Sequence, residues 1–250
     1  MGLVGGSILG GGVRSTAGGG LQGVIRDTAP DNLKWYFPCA DESGGMVETI
    51  VGGGGCTLEE ATGHLYGRDG ASAGAGPAIL VPEIASISRQ SGDPEFANIF
   101  DSSGGFTFGV LINPQVVGDT DGVFRAASTG ATTRFILRME ALGKVFVGLL
   151  IGGENDNILN AGPDDHFAVG AYKWTFIRVS AAGSIDLFTN ATKTTIGSNN
   201  SGTGEDGTLT AFEIGESDTA RSAITFQHVC GWDAPLTDQQ IADIVTATNL

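Results

Sequence analysis

Two acidic residues near the middle of the chain have a spacing that could support hydrolytic chemistry. Glu154 and Asp156 lie two positions apart, so both carboxylates would share one face of a β-strand. Hydrolysis of a glycosidic bond needs two such groups, one as the acid and one as the nucleophile or base. However, Gly152 and Gly153 precede the pair and asparagines alternate with it, a composition typical of a loop. We therefore predict a loop without catalytic activity.

The other residues that commonly perform chemistry are scattered. His64, His166 and His228 each stand alone, with no Gly-x-Ser-x-Gly elbow or cysteine-histidine arrangement. His228 falls in a predicted strand, which favours a packed or edge histidine, and His166 falls in a predicted loop. The cysteines lack the spacing of a zinc site and are expected to be buried thiols: Cys39, Cys56 and Cys230. We predict that the protein is not an enzyme.

Two acidic loops could offer oxygen ligands to calcium. One contains Asp119 and Asp121, and the other runs from Asp156 to Asp165 and includes Asp164. Calcium prefers carboxylate and carbonyl oxygens, but the pattern of an EF-hand is absent. Aspartate, asparagine and glycine also supply ordinary turn chemistry. Both interpretations stay open, and no other cofactor is expected.

The charge balance limits the classes of partner. Asp and Glu number 28 against 13 Lys and Arg, which gives a formal charge of −15. This charge repels phosphate backbones, and no basic run compensates for it, so we expect no nucleic-acid binding. An acidic surface suits neutral or cationic partners. No apolar stretch reaches the roughly 18 residues of a membrane span, and no basic residue precedes the apolar start, so neither membrane insertion nor a secretion signal is predicted.

Residues 1–23 have a composition unlike the rest of the chain. They contain ten glycines, and Arg14 is the first charged residue. Such a segment cannot form a packed core by itself. The aliphatic residues between the glycines could be buried only against another surface: Leu3, Val4, Ile8, Leu9, Val13 and Leu21. We predict an anchoring arm at 1–23, held by neighbouring subunits of a homo-oligomer or larger assembly, followed by one domain at 24–250.

The rest of the chain indicates an all-β domain with one helix. Glycine accounts for 41 of 250 residues and only 16% are charged, which favours short strands and tight turns. Apolar residues alternate over 133–140, and this segment and 145–150 predict a hairpin. Segments 174–180 and 184–189 predict a second hairpin, while 38–77 is expected to be irregular. Thr237 and Gln240 form a capping-box pattern that predicts a closing helix over 237–247.

Five segments occur in an order that is familiar from one fold family. They are Phe106 to Pro114, Tyr172 to Val179, Ile185 to Asn190, Phe212 to Gly215 and Trp232 to Ile244. Together they resemble the concanavalin A-like lectin/glucanase, or laminin-G-like, jelly roll. Lys34 to Gly45 resembles its opening strand more weakly, and residues 1–23 match nothing in it. The chain departs from the family at Ala191, where a turn glycine is usual, and at Gln240, which replaces an acid.

The resemblance implies a two-sheet antiparallel sandwich with ligand sites at one rim or on the concave face. Hydrolases of this family place Glu-x-Asp-x-x-Glu on a strand, but Leu159 occupies the position of the last acid here. The aromatic residues that could stack on sugars fall at strand positions, which favour the core: Trp35, Tyr36, Tyr172 and Trp174.

Three functions are compatible with these features. The first is a non-enzymatic virion protein, from a bacteriophage, that displays a lectin-like jelly roll for host-surface glycans and is anchored by residues 1–23 to other virion proteins. The second is a free carbohydrate-binding or adhesion module, which leaves the arm unexplained. The third, a glycan hydrolase, requires an acid pair that the sequence does not provide. We expect the first.

Overall fold

Frequent turns divide the chain into short strands, as the composition predicts. The computed structural model describes residues 20–39, 46–48, 55–59, 65–72, 76–83, 86–88, 95–101, 104–118, 120–128, 133–151, 154–198, 208–217, 220–221 and 223–250. Within these residues two antiparallel sheets pack face to face, and two helices lie on the outer face of one sheet. This confirms the predicted two-sheet jelly-roll sandwich with a short C-terminal helix.

The described elements follow one another in this order: α1 (Leu21–Asp27), β1 (Leu33–Phe37), β2 (Met46–Glu48), β3 (Gly55–Glu59), β4 (Leu65–Arg68), β5 (Ala78–Val81), β6 (Ser86–Ser88), β7 (Phe96–Ala97), β8 (Gly105–Pro114), β9 (Thr120–Ser128), β10 (Thr133–Glu140), β11 (Lys144–Ile151), β12 (Glu154–Ala161), β13 (Lys173–Ser180), β14 (Ser184–Thr189), β15 (Thr192–Ser198), β16 (Thr208–Ile214), β17 (Glu216–Ser217), β18 (Ala220–Arg221), β19 (Ile224–Trp232) and α2 (Asp238–Thr248).

Each sheet combines pairs of consecutive strands with pairs of strands that are distant in the sequence. In the described part of the chain, the first sheet has the order β15-β14-β13-β8-β19-β5-β4, with β1 beside the end of β19. The second sheet has the order β12-β11-β10-β9-β16-β6-β3-β2, with β7 beside β16. The short strands β17 and β18 form a separate two-stranded sheet. Both predicted hairpins are confirmed, as β10-β11 and β13-β14.

Aromatic side chains fill the space between the sheets. Trp35 is fully buried, and its ring centroid lies 6.1 Å from that of Phe124 and 5.0 Å from that of Phe212. Its indole Nε1 donates to the Ala97 carbonyl at 3.2 Å, so the polar atom of this core residue is satisfied. Large rings of this kind bury about 150–250 Å² each and dominate the stability of such a sandwich.

A second apolar cluster lies between the outer face of the first sheet and the two helices. The Thr237 hydroxyl accepts a hydrogen bond from the Gln240 backbone N–H at 3.2 Å, and the Gln240 side chain accepts from the Thr237 N–H at 2.8 Å. This confirms the predicted capping box, and the buried Ile241 and Ile244 pack α2 onto the sheet. No described helix is long and apolar enough to cross a membrane.

Several local predictions need correction. Helix α1 is absent from the sequence prediction because a glycine interrupts the short segment and no side chain caps its start. The stretch 38–77, predicted to be irregular, contains the short strands β2, β3 and β4. The segment of Glu154 and Asp156, predicted to be a loop, forms β12 at the edge of the second sheet, because its backbone pairs with β11 over Asp156↔Leu149 and Glu154↔Ile151.

The proposed arm is only partly covered by the structure. Residues 1–19 lie outside the described residues, so their anchoring role stays a prediction. Leu21, inside the same predicted segment, belongs to α1 and is 1% exposed. With Ile25 it packs into the cluster beneath the helices, and the Thr28 carbonyl accepts a hydrogen bond from Trp232 Nε1 at 2.9 Å. Residues 21–28 are therefore bound to the sandwich.

Candidate functional site: a cleft on the first sheet

The connection between β4 and β5 forms a cleft on the outer face of the first sheet. The cleft has a volume of about 550 Å³ and is open to solvent. Its lining consists of polar side chains and small residues: Gly67, Arg68, Asp69, Gly70, Ser72, Gly76 and Pro77. None of these residues was singled out from the sequence, where the glycines indicated only a loop.

Gln227 holds the floor of the cleft in place. Its Oε1 accepts from the Ala71 backbone N–H at 2.9 Å, and its Nε2 donates to the Gly76 carbonyl at 2.6 Å. The side chain is fully buried, so both of its hydrogen bonds are shielded from water. One amide therefore fixes both ends of the connection relative to β19.

A β-bulge in β19 aims Gln227 at the cleft. The pairing of β19 with β8 shifts register between Phe226 and His228. Phe226 belongs to the inner core, and His228 contacts Tyr36 on the outer side. Because the bulge adds one residue, Gln227 lies on the same outer face of the sheet as His228 and not on the inner face. Two consecutive polar residues, Gln227 and His228, in a mainly apolar strand are the one sequence signal that could have indicated this bulge.

The cleft has no room for a side chain at Gly70. A Cβ atom there would lie 2.0 Å from the Gly76 carbonyl oxygen and 2.1 Å from Gln227 Nε2. Real Cβ atoms do not approach backbone atoms so closely, so glycine is required where the first and last parts of the connection contact each other.

Tyr172 and Ser72 fasten the outer edge of the cleft. The half-buried Tyr172 donates its hydroxyl to the Asp69 carbonyl at 2.6 Å. Burial raises the pKa of this hydroxyl to about 12. The charge of Arg68 lowers the pKa and that of Asp69 raises it, both by less than burial does. The hydroxyl therefore stays a neutral donor. Ser72 donates to the Thr248 carbonyl at 2.6 Å, which joins the cleft to α2. Of the four aromatics that could stack on sugars, Tyr172 reaches this surface, whereas the other three are fully buried: Trp35, Tyr36 and Trp174.

Arg68 and Asp69 supply the charged groups of the cleft. Both side chains are exposed, and neither forms an ion pair with another described residue. A guanidinium donates hydrogen bonds in a plane, whereas an ionised carboxylate only accepts them. Donor and acceptor side chains thus line one opening, and the Tyr172 hydroxyl is bonded at its edge, a combination suited to a ligand with many hydroxyl groups.

The described residues among the predicted calcium ligands are bonded to other groups of the protein. Asp121, Asp164 and Asp165 lie where strands of the second sheet end, but the Asp164 carboxylate pairs with Lys144 Nζ at 3.1 Å, and Asp121 accepts from the Gly118 N–H. Asp165 offers its carbonyl to Lys173 Nζ at 2.5 Å. Asp119 lies outside the described residues, and for Asp156 the structure gives the strand position alone. Within the described residues no three acidic, histidine or cysteine side chains could hold a metal ion.

The histidines and cysteines that the structure describes are buried. His228 Nδ1 lies 2.9 Å from the Tyr36 hydroxyl, which confirms the predicted packed histidine. Cys39 and Cys230 are buried thiols, as predicted, and burial raises the pKa of Cys230 well above its usual value. His64 lies outside the described residues, and for Cys56 only the strand position in β3 is described.

His166 lies in the predicted loop but is fully buried beneath it. Its Nδ1 lies 2.6 Å from the Thr189 hydroxyl and its Nε2 lies 2.8 Å from the Thr175 hydroxyl. Burial, with a smaller effect from Lys173, lowers the pKa of the imidazole to about 3. The ring therefore ties the connection between β12 and β13 to the first sheet as a neutral group.

We expect this histidine to make the fold sensitive to acid. Above about pH 6.5 the ring is neutral in both the folded and the unfolded protein. Below that value the ring is protonated in the unfolded chain, whereas in the folded chain it stays neutral down to about pH 3. The free energy of unfolding is therefore at its full value above the pKa of the unfolded histidine and decreases as the pH falls, by about 2 kcal/mol at pH 5. Urea unfolding at pH 7 and pH 5 would measure the loss. His166→Gln should lack it, and an equal pH dependence in both proteins would contradict the assignment.

Comparison with known proteins supports the fold. No family model and no curated protein sequence matches the chain. Among solved structures it is similar to Trypanosoma rangeli sialidase in complex with sialic acid, with 9% identity, a TM-score of 0.56 and coverage of 88% of this chain and 33% of that one. It is also similar to domain 4 of AbnA, a GH43 extracellular arabinanase from Geobacillus stearothermophilus, in complex with arabinotriose, with 12% identity, a TM-score of 0.56 and coverage of 86% and 98%.

A third similar structure is the binding domain of botulinum neurotoxin serotype D, with 8% identity, a TM-score of 0.60 and coverage of 86% of this chain and 52% of that one. The chain thus spans a third of the sialidase and about half of the toxin domain, but nearly all of the arabinanase domain. These identities establish a shared β-sandwich fold and no more.

Proposed function

We propose that this protein is a non-catalytic module that binds neutral glycans in the cleft between β4 and β5. The observation that carries the proposal is one open cleft, on a jelly-roll sandwich, that is lined by Arg68 and Asp69 and held at its edge by the Tyr172 hydroxyl. Sugar hydroxyls need both donors and acceptors, and the apolar faces of sugar rings pack on aromatic side chains. The arabinanase domain, whose structure contains arabinotriose, gives a precedent on the same fold for a neutral oligosaccharide.

Charge favours a neutral ligand over an acidic one. Asp69 is an exposed carboxylate in the cleft, and the whole chain carries a formal charge of −15. An acidic sugar would meet repulsion from both, with Arg68 as the only opposing charge among the described lining residues. A neutral sugar could use the carboxylate as an acceptor and the guanidinium as a donor. The number of carboxyl groups also supports a binding role, because glycosidic hydrolysis needs two of them and the described lining of the cleft offers one.

The wider role that we propose is display on a virus particle, with a bacteriophage as the source. The glycine-rich, aliphatic composition of residues 1–19 suits an arm that orders on a neighbouring protein, and the cleft would then face host-surface glycans. A free carbohydrate-binding or adhesion module is the second candidate, which the cleft supports equally. Attachment of the full chain to particles, lost when the arm is altered, would separate these two roles.

Substitutions in the cleft test the binding proposal. Asp69→Asn should weaken binding of a neutral oligosaccharide about tenfold or more, because a hydrogen bond to a charged group is lost. Tyr172→Ala should have a similar effect, whereas Tyr172→Phe keeps the ring and should lose only severalfold. Isothermal titration calorimetry of all three variants would measure this.

Asp164→Asn serves as the control, because that exposed carboxylate lies at the strand ends, away from the cleft lining. Unchanged affinity in both Asp69→Asn and Tyr172→Ala would refute the assignment of the cleft. Release of shorter sugars by the purified protein would instead refute the non-catalytic role.

A further inference from the structure

Three exposed aliphatic side chains lie on connections at the same end of the sandwich. In the described part of the chain, four large hydrophobic residues are prominently exposed, and three of them are Val116, Leu142 and Val169, at 55%, 69% and 60%. They occupy the connections β8-β9, β10-β11 and β12-β13, which all leave the strands at the same end. We call these three residues the apolar rim.

Backbone hydrogen bonds join the loops of the apolar rim into one surface. The Gly170 N–H donates to the Pro114 carbonyl at 3.0 Å, which brings Val169 beside the loop of Val116. The Asp165 N–H donates to the Leu142 carbonyl at 2.8 Å, and the Phe167 N–H donates to the Gly143 carbonyl at 2.8 Å. The buried His166 holds the same connection from below. The three side chains are therefore presented by a fixed framework.

Leu142 is held in an unfavourable conformation while its side chain faces solvent. Its backbone has φ 62° and ψ 22°, the left-handed region that branched side chains rarely adopt. Asparagine or glycine would fit this position with less strain. A strained, exposed leucine adds nothing to the core, which suggests that its side chain is used in a contact.

The surroundings of the apolar rim are mainly acidic. Asp164 and Asp165 are exposed on the same connection as Val169, and Asp121 and Glu140 lie at the strand ends next to Leu142. Lys144 pairs with Asp164, and Lys173 donates to the Asp165 carbonyl. A partner that combines aliphatic side chains with positive charge would complement this surface.

We propose that the apolar rim receives residues 1–19 of a second copy of this chain. That segment contains five aliphatic residues suited to the rim, carries no acidic residue, and has Arg14 as its one charged side chain: Leu3, Val4, Ile8, Leu9 and Val13. Its glycines allow the backbone to approach the rim closely. This inference rests on the arm that the proposed display role invokes, but it does not depend on glycan binding.

The length of residues 1–19 allows them to reach a neighbouring copy. Helix α1 lies on the outer face of the first sheet, and Thr28, just after its end, is bonded to Trp232, the last residue of β19, whereas the rim adjoins the first residues of that strand. Six residues lie between Val13 and Gly20, which limits Val13 to about 25 Å from the start of α1. The other four aliphatic residues of the segment lie eleven or more positions from Gly20 and are long enough in reach for either copy, so the concentration dependence of association decides between the two.

A complementation experiment with full-length chains tests the pairing. The rim variant carries Leu142→Asn and Val169→Ser, and the arm variant carries Ile8→Asp and Leu9→Asp. Leu250→Asn is the matched control, since the Leu250 side chain is 48% exposed but is not part of the apolar rim. Light scattering over a range of concentrations would give the association state of each chain alone and of the mixture.

We expect wild type and Leu250→Asn to self-associate, and each of the two variants to do so with a dissociation constant at least about tenfold higher. The mixture should form 1:1 dimers, because each variant retains one half of the contact. At concentrations too low for association, the melting temperature of the rim variant should be unchanged or raised relative to wild type, because asparagine tolerates the left-handed backbone. A monomeric wild type, or a rim variant that associates like wild type, would overturn the proposal, as would variants that fail to complement.

Discussion

Replacing Gly70 with alanine should abolish glycan binding and lower the stability of the protein. The added Cβ would lie 2.0 Å from the Gly76 carbonyl oxygen, so the connection between β4 and β5 must move. That movement breaks the two buried hydrogen bonds of Gln227 and separates the Asp69 carbonyl from Tyr172. We expect a loss of about 1–3 kcal/mol in the free energy of unfolding and of about a hundredfold in affinity.

Gly170→Ala is the matched control for Gly70→Ala. Its φ of +75° also disfavours alanine, but no heavy atom lies within 4 Å of the added Cβ and the residue is outside the cleft. This variant should lose about 1–2 kcal/mol and bind glycan normally. Calorimetric titration and urea unfolding of both variants would compare them. Full glycan affinity in Gly70→Ala would show that the connection does not form the site.

Removing residues 1–19 should prevent assembly and, in solution dilute enough for the full chain to be monomeric, leave the folding transition unchanged. Fixing the backbone of a segment costs about 1–2 kcal/mol per residue, so we expect the glycine-rich residues 1–19 to be held only where a large contact compensates. The truncation must stop before Leu21, because that side chain is buried beneath the helices. Thermal unfolding and light scattering of the truncated and full chains would test both halves of this prediction.

A longer truncation through Asp27 provides the contrast. It also removes Leu21 and Ile25 and leaves part of the cluster around Trp232 uncovered. Each lost aliphatic contact costs about 2–5 kcal/mol, so this chain should melt far lower. If removal of residues 1–19 alone lowers the melting temperature to the same degree, the arm belongs to the fold. If the shorter truncation assembles normally, the arm is not the anchor.

The parts of the fold that sequence patterns predicted are those fixed by local interactions. The capping box joins Thr237 and Gln240, three positions apart, and the hairpins follow from alternation in adjacent segments. Asn190 lies in the turn between β14 and β15. It adopts a left-handed φ of 52°, and its side chain accepts from the Trp174 N–H at 3.0 Å.

The candidate site was not predictable because distant segments build it. Tyr172 reaches the Asp69 carbonyl across 103 positions, and Gln227 reaches Ala71 across 156. Neither pair leaves a local pattern, and the bulge that aims Gln227 changes the face on which a strand residue lies. The segment of Glu154 and Asp156 illustrates the opposite error, since polar residues suited to a loop form an edge strand through pairing with β11.

The most direct test of the central claim is to locate a bound glycan on the protein. A neutral oligosaccharide selected from a glycan array would be titrated into the isotopically labelled full chain, with amide resonances followed by NMR. We predict selection of neutral over sialylated glycans and the largest shifts at residues 67–72, 76, 172 and 227. The absence of any glycan ligand, or shifts confined to the outer face of the second sheet, would contradict the account.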